Sequence, residues 1–168
     1  MIITFLIRLL QMLALVAMQV LVFNHIHLLG YATPLVYVAF LFYFPWHTSR
    51  VGILLWSFVL GMIVDFFANT PGVTAGSMVF AAMVQPVLLN AMVPKDSIEE
   101  MVPTYKSMGR WNHVRHVMLV VFLQQAVFFL LESFSFFNPI ELLLTFGGSY
   151  ILTLILILAL ESFRGRNS

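Results

Sequence analysis

Asp65 stands inside the apolar run 51–68, four residues after Gly61 and four before Asn69, so a helix brings Ser57, Gly61, Asp65 and Asn69 to one face. An ionised carboxylate at a bilayer centre costs about 2.5–3.5 kcal/mol on insertion scales, less near the interface, so it is neutral, partnered or put to use. Two readings stay open. Asp65 can fix the Asn69-Thr70-Pro71-Gly72 turn and bond to backbone at 73–76, or it can meet a ligand or partner. Gly61, Asp65, Asn69, Pro71, Gly72 and Gly76 are therefore the candidate partner- or cavity-facing residues.

The remaining polar residues of the apolar runs form a secondary seam. Gln11 and Gln19 share a face with Arg8; Gln125 and Glu132 lie further on; Glu141, Thr145, Ser149 and Thr153 recur every four residues. Such seams predict a bundle with a polar interior. The plainer alternative, for Gln11, Gln19, Gln125, Thr145 and Thr153, is interhelical hydrogen bonding worth about 0.6 kcal/mol each. Gly72 and Gly76, followed by Ala81 and Ala82, form a small-residue stripe that would let another helix approach closely.

Other chemistries find little support. His25 and His27, with Asp65, Glu132 and Glu141, mimic a metal site, but no HExxH or comparable ligand spacing accompanies them, and they read as exposed loop residues. His113 and His116 flank Arg115 and are expected at lipid headgroups. The chain has no cysteine, and no GxSxG or Ser–His–Asp arrangement falls in the apolar runs. No catalytic residue, metal or cofactor is expected, and the chain reads as a non-enzyme.

The elements that position these residues are membrane spans. Of 168 residues, 61% are hydrophobic and 9% charged, far from the balance of a soluble domain. Six spans are predicted, at 2–23, 34–46, 51–68, 73–93, 114–132 and 139–160, as one all-α membrane domain with a connecting loop at 94–112. About 20 apolar residues are needed to cross. The run 34–46 is therefore short: it is tilted little, extended by its flanks, or partly non-helical. The run 2–23 lacks an A-x-A-like cleavage site and reads as a retained span. Pro86 should kink the fourth span, and Asn138-Pro139 with Glu141 specify the start of the sixth. Asp96-Ser97-Ile98-Glu99 resembles a capping box in the loop.

Charge sets the orientation. Arg8, Arg50, Lys95, Lys106, Arg110, Arg115, Arg164 and Arg166 fall at the chain ends or in alternate gaps, whereas 24–31, 69–72 and 133–138 hold no Lys or Arg. Positive residues collect on the cytoplasmic side, which predicts cytoplasmic N- and C-termini. A net charge of +1 argues against a nucleic-acid surface.

The motif Gly61-x3-Asp65-x5-Pro71-Gly72, written here GMIVDFFANTPGVTAG, resembles the rod shape-determining membrane protein MreD family. The resemblance extends to chain length, six-span hydropathy and short outer loops. Aromatic-rich stretches such as FLFYFPWH are similar to the Bacteroidetes branch. It implies a six-helix fold similar to the substrate-binding subunits of energy-coupling-factor transporters, in the bacterial inner membrane. The implied function is a non-enzymatic scaffold of the cell-elongation machinery that docks a bitopic MreC-like protein. A class B penicillin-binding protein, a RodA-like glycosyltransferase and an MreB-like actin homologue are the indirect partners implied, beside membrane lipid. Gly61, Asp65, Pro71 and Gly72 would then shape the outer end of the bundle. The alternative function is a small-molecule or lipid-binding subunit like a vitamin-uptake component.

Overall fold

The computed structural model describes residues 1–25, 32–93, 105–135 and 138–167. Five helices are long and apolar enough to cross a membrane: α1 (Ile2–Leu21), α2 (Arg50–Ala68), α3 (Val73–Met92), α5 (Arg110–Glu132) and α6 (Pro139–Asn167). A single-turn helix, α4 (Tyr105–Met108), precedes α5. Their flanks carry exposed Leu55, Phe66, Met83, Val87, Leu130, Ile151 and Ile155. Apolar surface on every side of a bundle is stable against lipid and not against water, so the chain is a multi-pass, all-helical membrane protein.

The run 34–46 departs from the other five. It contains a 3-10 helix, Val36–Tyr43, rather than an α-helix. Runs beyond three or four residues are uncommon in this geometry, and the sequence explains this one. VYVAFLFY is β-branched and aromatic, weak in helix propensity, with Pro34 and Pro45 on either side. It is also apolar all round, as a segment with no solvent face must be. Val36 to Phe42 are essentially inaccessible.

This segment is the centre of the bundle. At one end Gln19 of α1 holds Pro34 and Val36; at the other, Arg8, about three helical turns earlier on α1, reaches Thr48 at 3.4 Å. The chain from 33 to 48 therefore runs antiparallel to α1 through the bundle. Eight residues at a 2.0 Å rise span only about 16 Å, and a turn closed by Thr48 N donating to Pro45 O follows. Non-helical backbone is tolerated at membrane depth only where protein surrounds it, and here α1, α2, α3 and α6 do so.

The helices α2 and α3 form a tight hairpin. A Cβ on Gly61 would overlap Ala75 Cα and lie 2.7 Å from Ala75 N, so only glycine permits this approach. Pro86 lies within α3, which remains one helix from Val73 to Met92. The helix α5 begins at Arg110, earlier than the expected 114, and α6 continues past 160 to Asn167. The capping-box sequence Asp96–Glu99 and His27 lie outside the described residues.

Candidate functional site

The Asp65 carboxylate accepts four hydrogen bonds. Thr70 Oγ1 and Thr74 N donate to Oδ1 at 2.9 and 2.8 Å; Gly72 N and Ala75 N donate to Oδ2 at 3.1 and 3.0 Å. Thr74 and Ala75 belong to the first turn of α3, whose amide groups have no intrahelical acceptor. Asp65 thus caps α3 from the preceding helix, and its charge meets the positive end of the helix dipole. Its backbone carbonyl also accepts from Asn69 N and Thr70 N. The residue is buried and committed to the turn, the first of the two readings.

The other motif residues serve the same turn. Asn69 closes α2 with φ 57°, a left-handed conformation that asparagine adopts more readily than most residues. Gly72 has φ 84° and open space where a Cβ would stand, so it is needed for backbone conformation rather than for close approach. Pro71 occupies the exposed turn between them. Gly76 faces Leu131 of α5, 3.2 Å from a Cβ position. Gly72 and Gly76, the expected partner groove, are both exposed. Gly61 makes the tightest approach, and it is internal.

The polar seams converge on the backbone of the central segment. Gln19 Nε2 donates to Pro34 O and its Oε1 accepts from Val36 N, both at 2.9 Å. Thr33 N donates to Ser149 Oγ at 3.1 Å and Leu35 N to Thr153 Oγ1 at 3.0 Å. Gln125 Nε2 steadies Thr153 Oγ1 at 2.8 Å. At the far end Gln85 Nε2 donates to Leu41 O at 2.8 Å and Arg164 Nη1 to Phe42 O at 3.2 Å. These side chains satisfy a buried backbone that would otherwise forfeit about 1–3 kcal/mol per group. Gln19, Gln125, Ser149 and Thr153 of the expected seams are buried among an apolar core, and they act there as clamps on the central segment. Gln11 is half-buried on α1, Thr145 half-buried on α6, and Glu141 exposed in the first turn of α6.

Sequence reasoning missed several buried groups. His113 and His116, expected at headgroups, are fully buried. His113 Nε2 lies 3.4 Å from Glu161 Oε2, Arg164 Nη1 lies 3.5 Å from Glu161 Oε1, and the His116 ring meets Phe42 edge-on. Arg164 also lies over the Tyr43 ring. Gln124 Nε2 donates to Tyr37 Oη at 3.3 Å and Ser77 Oγ at 3.2 Å. The adjacent pair Gln124-Gln125 was the available signal. Consecutive glutamines on a buried helix face different neighbours, here α3 and α6.

A cavity of about 410 Å³ opens at the Asp65 end. Thr70 and Thr74, both bonded to Asp65, form one wall; Tyr37, Thr33 and Glu132 supply further polar groups. Gln19 and His25 add polar groups, and Val20, Leu35, Val64, Phe67, Ala68 and Phe128 complete the lining. Glu132 is half-buried at the end of α5. His25 is exposed where it lines the cavity, and among the described residues no three His, Asp or Glu side chains gather as metal ligands.

Comparison with protein-family models, curated proteins and solved structures returned no match.

Proposed function

We propose that the chain is a scaffold subunit of the bacterial inner membrane, similar in role to MreD proteins, docking an MreC-like bitopic partner in support of peptidoglycan synthesis and cell elongation. The observation that carries the reading is the filled bundle centre. Val36 to Phe42 occupy the position where a transporter would need a polar path, and the clamping side chains are engaged with backbone. Apart from the cavity at the Asp65 end, what remains available for interaction is the outside of the helices and the short turns. Association in lipid proceeds by van der Waals packing of such faces.

The proposal includes six crossings, with the Val36–Tyr43 helix and its flanks as the second, in an arrangement like that of energy-coupling-factor substrate-binding subunits. Both termini are placed in the cytoplasm on the charge asymmetry. The test is affinity capture of the tagged protein from native membranes, together with depletion in growing cells. Recovery of a bitopic protein with a coiled-coil exterior, and rounding of depleted cells, are the expected results. Normal elongation after depletion would reject the reading.

A further inference from the structure

We infer that the cavity at the Asp65 end is a binding site for a small organic cation, a primary amine or guanidine carrying an apolar group, with Glu132 as its counter-ion.

Three observations lead there. The cavity, at about 410 Å³, lies within the 300–1,000 Å³ range of small-molecule sites, and polar and apolar side chains share its lining about equally. Second, the Glu132 carboxylate lines it and takes no hydrogen bond or ion pair among the described residues. The cavity lining holds no lysine or arginine, and its one basic side chain, His25, forms no ion pair with Glu132 among the described residues. Third, the neighbouring acid is already spent: Asp65 takes four donors of its own. The Glu132 carboxylate therefore faces the cavity with no protein partner of its own among the described residues. The Thr70 hydroxyl is given to Asp65 but keeps lone pairs for a ligand N–H. Leu35, Val64, Phe67 and Phe128 offer an apolar wall to the remainder of the ligand.

The site stands apart from the scaffold reading, because solubilised protein tests it without any partner. Phenethylamine is the probe and 2-phenylethanol its neutral isostere. Full-length protein in lipid nanodiscs is titrated with each, following thermal unfolding and binding heat. Phenethylamine should raise the unfolding temperature saturably and 2-phenylethanol should not. Glu132→Gln should weaken phenethylamine about tenfold or more, the scale of one charge-assisted contact. Ala68→Phe, which narrows the cavity and keeps the carboxylate, should weaken it too, so the proposal stays testable if either variant fails to fold. An equal response to both probes, an undiminished response in Glu132→Gln, or no response of the unmodified protein would overturn it.

Discussion

Gly61 and Asp65, one helical turn apart on α2, grip the same residue of α3. Ala75 packs its Cα against the bare backbone of Gly61 and donates its N–H to Asp65 Oδ2 at 3.0 Å. The spacing of the two follows from this. A glycine brings the helices together, and a carboxylate four residues later reaches the amides that the approach exposes. The motif builds a hairpin, and its acid is part of that hairpin's fabric.

Asp65→Ala should therefore reduce stability rather than spare it. Removing the acceptor leaves amides of Gly72, Thr74 and Ala75 unsatisfied, and an unpaired buried donor costs about 1–3 kcal/mol. Thermal unfolding of purified protein should show a marked drop, with reduced accumulation in membranes. A variant that matches the unmodified protein in both measurements would return Asp65 to a ligand or partner role.

Gly61→Leu should force α2 and α3 apart, on the scale of about 1–3 kcal/mol typical of overpacking. Gly61→Ala tests the same contact with one methyl group, and Ala75→Gly cannot relieve it, because the overlap is with backbone atoms. Full recovery of thermal stability in the Gly61→Ala, Ala75→Gly double variant would contradict the geometry.

Gln19→Leu should cost more than a typical membrane hydrogen bond, because it strips a donor from Pro34 O and an acceptor from Val36 N together. Gln19→Glu, when ionised, retains the acceptor alone and should fall between. The order of unfolding temperatures, Gln above Glu above Leu, is the measurement; equal values for all three would remove Gln19 from the clamp.

Reporter fusions after Tyr31, Thr70 and Phe136 should score as exported, and fusions at either terminus as cytoplasmic, because lysine and arginine avoid those three gaps. Cytoplasmic signals at any two of the three would overturn the proposed orientation.

Much of this architecture is legible in the sequence where a single physical term dominates. The runs 51–68 and 73–93 match α2 and α3 within a residue, because long apolar stretches meet at a turn whose residues allow left-handed backbone. The Asp65 turn was legible as one of two readings, since its amide partners lie within ten residues. The segment 34–46 was legible only as an oddity of length. Its 3-10 geometry depends on Gln19, Gln85, Ser149, Thr153 and Arg164, and no local pattern pairs these with Pro34–Phe42. His113 and His116 were misplaced for a related reason. A histidine beside an arginine looks interfacial until Glu161, nearly fifty residues on, is seen to lie against it.

The dependence of the Val36–Tyr43 helix on distant clamps also bears on biogenesis. Thr33 and Leu35 wait for Ser149 and Thr153, and Phe42 waits for Arg164, all on α6. During translation the segment leaves the ribosome long before those residues exist. It is too short to cross alone, and its backbone is not wholly paired within itself. Hydrocarbon would penalise the unpaired groups by several kcal/mol each. The segment is thus suited to linger in a wet or chaperoned environment and to enter the membrane only when α6 arrives, so that a helix made much later admits it.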